Sequence, residues 1–265
     1  MKKQSHINNY LKTLAIIGSD GMLGSDLLKY LNPYFSITPI TRENYHAYRH
    51  TTFDVLINAN GNGKRFWANK NVLEDFELST YSVYKSIFDF TFDVYIYISS
   101  SDVYEDPSSV YCTDESQHIN SSNLSSYGFH KYMSELIVKN CLKKYLILRC
   151  SMILGQKLKK GPIYDILHNK SLFITTGSRL QMITTKEIAA IIHFFLKNNT
   201  VNDIFNIGGK GGVLFKKINQ YFSLPITFSK DAQKQEYEMS VLKLAKTYPL
   251  KTSEEYLQDC VNSLL

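Results

Sequence analysis

The stretch LAIIGSDGMLGSDLLKYL, residues 14–31, decides how the chain is read. Leu14 to Ile17 form a short apolar run, as a strand covered on both faces requires. Gly18, Gly21 and Gly24 follow at three-residue spacing, and an amphipathic helical pattern begins at once. A strand passing through a glycine turn into a helix presents free backbone N–H groups and a positive helix end to an anion. Gly18 permits the turn, Gly21 allows a pyrophosphate to approach, and Gly24 lets the helix pack on the strand. Asp20, Met22 and Leu23 would line the same cradle. An ordinary βα turn can also hold three glycines, but the flanking strand and helix favour a dinucleotide site. The spacing is GxxGxxG rather than GxGxxG.

Outward from this loop, short apolar runs recur at 35–40, 54–59, 93–99, 145–150 and 203–209, separated by helical patterns at 72–89, 126–143 and 187–197. Strands alternating with helices predict an α/β fold, a Rossmann-type doubly wound parallel sheet. The alternation loosens after Cys150. Residues 13–155 therefore read as the dinucleotide-binding domain, and 156–265 as a small C-terminal substrate-binding lobe whose late strands return to the sheet. Residues 1–12 read as a flexible extension.

Composition excludes several classes. No apolar run approaches the roughly 20 residues that span a bilayer, and the first residues, MKKQSHINNYLKT, lack the apolar core of a secretory signal. Cys112, Cys141, Cys150 and Cys260 show no CxxC pair or metal-ligand spacing, which reads as reduced thiols in a cytoplasmic protein. The net charge of +6 is spread over lysine doublets without a basic arm. That speaks against nucleic acid and suits a pocket for anionic small molecules. The histidines show no ligand spacing, so no metal is expected.

The second strand should end near Ile40, where an NAD enzyme normally places an acid for the ribose hydroxyl. Thr41-Arg42 stands there instead. An arginine would accept a 2′-phosphate by charge-assisted hydrogen bonds, which favours NADP over NAD; a surface arginine is the plainer reading. Further on, Tyr127 and Lys131 lie at i and i+4 on one helical face. An ammonium beside a phenol lowers its pKa from the ordinary value of about 10 and fits it for proton exchange.

Taken in order, these stretches resemble the extended short-chain dehydrogenase/reductase family, of the nucleotide-sugar epimerase, dehydratase and reductase type. IIGSDGMLGSDLL resembles its opening glycine loop, and FDVLINANG its strand ending in N-A-A. YISSSDVYED resembles its S-S-x-x-V-Y-G, SSYGFHKYMSE its S-x-Y-G-x-S-K-x-x-x-E, LILRCSMILG its L-R-x-x-x-x-Y-G, and DIFNIGG its Y-N-I-G-G. The resemblance runs from Leu14 to about residue 255. It implies Tyr127 as acid/base, Lys131 as the group that tunes it and holds the nicotinamide ribose, and Ser100, three residues before Val103-Tyr104, as the orienting hydroxyl. Gly18, Gly21, Gly24, Ser99 and the loop Asn58-Ala59-Asn60-Gly61 would meet the cofactor. Ser101, Asp102, Ser151, Lys159, Lys160 and Arg179 would face a nucleotide-sugar substrate, the last three as phosphate ligands. A homodimer through the YxxxK helix and a place in polysaccharide biosynthesis are also implied.

Departures concern the substrate side. Glu105 replaces the glycine after V-Y, His130-Lys131 the S-K pair, Cys150 a proline, and Lys186-Glu187 paired acids. His130 reads as structural or exposed. Asp102 has two readings: a base removing a proton α to a 4-keto group, as in the dehydratase branch, or a strand-end cap in a turn. The leading expectation is an NADP(H)-dependent 4-keto sugar-nucleotide reductase. An epimerase or 4,6-dehydratase using Asp102 is the alternative, and a non-catalytic NAD(P)-binding regulator a third.

Overall fold

The computed structural model describes residues 11–61, 63–222 and 224–264, so most of the expected N-terminal extension, residues 1–10, lies outside the described residues. β1 (Thr13–Ile17), α1 (Met22–Leu31), β2 (Ser36–Ile40) and β3 (Thr52–Asn58) come first. The predicted helix over 72–89 follows α2 (Arg65–Lys70) and is one rod in three parts: α3 (Val72–Phe76), a π turn (Glu77–Tyr81) and α4 (Ser82–Asp89). β4 (Thr91–Ser100), α5 (Ser126–Cys141) and β5 (Tyr145–Cys150) complete the first half.

The second half is more broken. It holds β6 (Met152–Leu154), α6 (Pro162–Leu167), β7 (Leu172–Ile174), β8 (Arg179–Leu180) and β9 (Met182–Thr184). After these come α7 (Thr185–Lys197), β10 (Asp203–Ile207), β11 (Val213–Leu214), β12 (Phe228–Gln233), β13 (Glu236–Tyr237), α8 (Leu242–Ala245) and α9 (Ser253–Leu264).

Six strands form one parallel sheet in the order β10-β5-β4-β3-β1-β2. Side chains alternate across it. Leu14, Ile16, Ile96 and Leu148 enter one core with Leu27 of α1 and Ile192 and Phe195 of α7. Ala15, Ile17, Tyr95, Tyr97 and Ile147 enter the other with Val83 and Ile87 of α4 and Val138 of α5. Two-sided burial explains the continuous apolar runs that marked these strands in the sequence. A third core gathers Leu154, Ile163, Leu172, Leu180, Met182, Phe215 and Leu257.

The chain leaves β1 for β2 on one side and builds β3, β4, β5 and β10 on the other. Strand order therefore reverses between β1 and β3, and the crevice at their carboxyl ends is where such sheets bind ligands. The glycine loop, the Asn58–Gly61 turn and Ser100 all emerge there.

Candidate active site

The glycine loop is shaped by contacts that admit no side chain. Gly18 has φ +78°, and a Cβ on it would stand 3.0 Å from the Asn60 backbone. A Cβ on Gly24 would stand 2.1 Å from the Gly18 carbonyl oxygen, so α1 is pressed onto the turn. Gly21 is exposed at the N-terminus of α1, and its missing Cβ faces only the Gly18 oxygen at 3.2 Å. The backbone N–H groups of Gly18 and Ser19 donate to the Ile40 carbonyl at 2.9 and 3.2 Å, tying the loop to the end of β2. Thr41 and Asn44 close a turn there, with Arg42 exposed on it. Asp20 is exposed at the loop tip, while Leu23 is a core side chain.

The turn after β3 is held from inside. Asn58 is fully buried; its amide donates to Tyr95 Oη at 2.9 Å and Ser86 Oγ at 3.2 Å, and its carbonyl accepts from Asn60 N at 3.0 Å. Its side chain thus shapes the turn, in which Ala59 packs against the core and Asn60 Nδ2 donates to Ser82 Oγ at 3.3 Å. Lys131 Nζ lies 3.3 Å from where a Gly61 Cβ would be.

Ser125 caps α5 by accepting from Gly128 N at 3.2 Å. A Cβ on Gly128 would stand 2.1 Å from the Asp102 carbonyl oxygen. That close approach sets Tyr127 against the end of β4, near enough to the Ser100 hydroxyl for Ser100 to lower the phenol's pKa. Ser100 Oγ donates to Asp102 Oδ2 at 2.9 Å and accepts from Asp102 N at 3.2 Å. The other Asp102 oxygen accepts from Arg65 Nη1 at 2.9 Å and Tyr237 Oη at 3.1 Å. Arg65 also donates to the Tyr237 hydroxyl, and its guanidinium stacks 4.8 Å from that ring. Ser99 takes no part in this network; it donates to Glu135 at 2.5 Å.

Electrostatics follow from burial. The Tyr127 phenol is raised above its ordinary pKa by desolvation first, then by Asp102 and, less, by Asp75; the Ser100 hydroxyl, and more weakly Arg65, pull it back. Lys131 is buried and lowered to about 8 by desolvation, opposed by Cys150, Asp75 and Glu135. Its ammonium donates to the Ile98 carbonyl at 3.0 Å. Arg65 is a cation whose charge lowers the phenol's pKa.

On the substrate side, Ser101 and Ser151 are buried, and the Ser151 hydroxyl has no hydrogen-bond partner among the described residues. Lys160 is an exposed residue whose Nζ stands 2.6 Å from where a Gly63 Cβ would be; partial desolvation of that end together with the charges of Lys64, Arg65 and Lys131 lowers it to about 8. Lys159 is exposed. Arg179 pairs with Glu238 at 3.0 Å, within the sheet of β8, β11 and β13. A surface cleft of about 750 Å³ beside β10, lined among others by Asp114, Lys139, Asp203 and Lys243, shares no residue with these groups.

The sequence profile of the NAD dependent epimerase/dehydratase family matches residues 14–208. The chain belongs to that family. No curated protein matches it. Among solved structures, it resembles dTDP-4-dehydrorhamnose reductase from Bacillus anthracis in complex with NADP, with TM-score 0.79 and 17% identity over 97% of this chain and 99% of that one. It also resembles a UDP-galactose 4-epimerase (TM-score 0.76, 18% identity, 95% and 98% covered). A third is MoeE5 in complex with UDP-glucose and NAD (TM-score 0.79, 12% identity, 94% and 97% covered).

Within this epimerase/dehydratase-family chain, several departures have structural work. Glu105 closes the loop after β4 by accepting from Asn120 N and Asn123 Nδ2, both at 2.8 Å. Glu187 accepts from Tyr248 Oη at 2.7 Å. His130 is buried and bonded to Asp75 at 2.7 Å, structural rather than exposed. Sequence reading missed Arg65, Tyr237 and Gly128. Only Gly128 left a local signal, as a glycine in the first turn of a helix, where it weakens the helix unless something needs the space.

Proposed function

We propose that this chain is an NADP(H)-dependent reductase of a 4-keto sugar nucleotide. The observation that carries this is the state of Asp102: its oxygens are engaged by Ser100, Arg65 and Tyr237. Both carboxylate oxygens are occupied by side-chain donors, so Asp102 would have to give up one of these contacts to take a proton from the sugar ring. The Tyr127 phenol, raised by burial, is protonated at neutral pH, which is the form a reduction needs.

The cofactor cradle fits a dinucleotide: Gly21 leaves the space over the α1 N-terminus open, and Gly18 and Gly24 fix the turn without side chains. Gly18, Gly21 and Gly24 would hold the pyrophosphate, Arg42 a 2′-phosphate and Lys131 the ribose. A bound reduced nicotinamide would supply the hydride. Ser100 orients the sugar oxygen, and Tyr127 gives it a proton. Arg65 stabilises the resulting phenolate, and Lys131 lies one helical turn away. Lys160 and Lys159 would meet the substrate phosphates, Ser101 and Ser151 the sugar. Arg179 is already paired with Glu238 and contributes at most a shared charge.

An epimerase or dehydratase remains the second reading, because the Asp102 carboxylate lies close enough to raise the Tyr127 phenol. A homodimer is supported by exposed Tyr84, Phe88, Phe129 and Leu136 on the packed pair α4 and α5. A cytoplasmic place in polysaccharide assembly follows from the same reading; among the described residues no helix is long and apolar enough to cross a membrane.

The test is a screen of 4-keto sugar nucleotides with NADPH. Stoichiometric NADPH loss supports the reductase, whereas turnover with a retained, unconsumed cofactor supports the second reading. Tyr127→Phe should cost roughly 10²–10⁴-fold in turnover while NADPH affinity is kept; unchanged turnover would remove Tyr127 from the chemistry.

A further inference from the structure

A second buried ion lies behind the catalytic helix and takes no direct part in the scheme above. Asp75 of α3 is fully buried and receives a 2.7 Å hydrogen bond from His130 Nδ1 on α5, with Ser79 Oγ 3.4 Å away. The π turn at Glu77–Tyr81 carries Ser79 to the back of Gly61, whose open side faces both Ser79 Oγ at 3.7 Å and Lys131 Nζ at 3.3 Å. A carboxylate is costly to bury, and a packing contact between two helices would not by itself require one.

Lys131 has the complementary need. Its ammonium is buried, donates to the Ile98 carbonyl and lies 5.1 Å from the Tyr97 ring centroid. No carboxylate forms a direct ion pair with it among the described residues. The groups around it are Tyr97 from β4, Cys150 from β5, Glu135 on its own helix, Asp75 from α3 and Lys160 after β6. Cys150 has a thiol pushed up to about 12 by burial, so it is uncharged where Lys131 titrates. Glu135 is occupied by Arg149, at 2.6 Å, and Ser99. Lys160 is a like charge. Asp75 is the carboxylate from another element whose charge reaches Lys131.

We propose that Asp75 is a positioning residue for Lys131: its buried carboxylate, fixed by His130 across the helix pair, keeps the neighbouring ammonium charged at neutral pH. The sign is direct. An anion favours the protonated lysine, so removing it lets Lys131 lose its proton at lower pH. This deepens the reading of Lys131 as the ribose-holding residue and rests on it for its catalytic consequence.

The experiment follows Lys131 itself in isotope-labelled full-length protein by NMR, the resonance being assigned from its loss in Lys131→Arg. The wild-type midpoint is expected near 8. Asp75→Asn should move it down by about one pH unit. Should that variant fail to fold, Asp75→Asn/His130→Gln keeps an amide-to-amide bond in place of the buried pair and should give the same shift. An unchanged midpoint in either folded variant overturns the proposal. The pH above which NADPH binding weakens should move with the midpoint. If the midpoint moves and NADPH binding does not follow, Asp75 still sets the charge of Lys131, and it is the role of Lys131 at the cofactor that fails.

Discussion

The two sides of the crevice are built by different means. The cofactor side is backbone: Gly18, Gly21 and Gly24 act through the absence of side chains, and their partners, Ile40 and Asn60, are main-chain groups at strand ends. The side proposed for the substrate is side chain: Asp102 is held by Arg65 at the start of α2 and by Tyr237 from β13, far along the chain. A backbone device tolerates little change and serves any dinucleotide. A side-chain device can be re-specified residue by residue, which is how one fold serves many sugar nucleotides.

Breaking the backbone side should have the largest effect. In Gly24→Ala the new methyl would lie 2.1 Å from a carbonyl oxygen, so the turn or α1 must move. Overpacking of this kind costs roughly 1–3 kcal/mol in stability, and the displaced N–H groups no longer meet an anion. NADPH affinity should fall by roughly a hundredfold or more, while UDP or dTDP binding, measured by calorimetry, is kept. Equal loss of both ligands would show that the two sides are not separable. Gly128→Ala tests the joint between them. Its methyl meets the Asp102 carbonyl, again at 2.1 Å, and must shift Tyr127 relative to Ser100. A displacement near 1 Å can cost about 10²-fold in turnover, with both ligands still bound.

The same contrast explains what could be read in advance. The six parallel strands and the long helices were legible because two-sided burial leaves apolar runs, and the glycine loop because its function is local in sequence. The proposal of Ser100, Tyr127 and Lys131 rests on one strand end and one helix turn, and Ser100 lies near enough to Tyr127 to lower its phenol's pKa. Arg65 and Tyr237 were not legible, since nothing in GNGKRFW or QEYEM indicates that the two side chains meet over Asp102. At the phenol burial dominates, and Arg65 approaches it from another element, which no spacing in the sequence indicates.

Arg65→Ala sharpens the comparison from the substrate side. Asp102 would keep Ser100 and Tyr237 but lose its cation, and hydrogen bonds to charged groups are worth roughly 1.5–3 kcal/mol. Turnover on a 4-keto sugar nucleotide should fall roughly 10–100-fold, with the Kd for NADPH unchanged. A gain of solvent-proton exchange at the substrate carbon beside the keto group would instead show that freed Asp102 acts as a base, and would favour the epimerase or dehydratase reading.

The smallest effect is expected at Arg42, the side chain proposed for the 2′-phosphate. Arg42 is exposed on the turn after β2, which the glycine loop grips through the Ile40 carbonyl. A 2′-phosphate there would be recognised by charge in high dielectric, so the contact is worth less than a buried one and weakens with salt. Arg42→Ala should raise the Kd for NADPH about tenfold at low ionic strength, less at high salt, and leave NADH untouched. Equal weakening of NADPH and NADH would mean that Arg42 supports the turn rather than reading the phosphate. No change for either would return the choice between NADP and NAD to the backbone, which does not distinguish them.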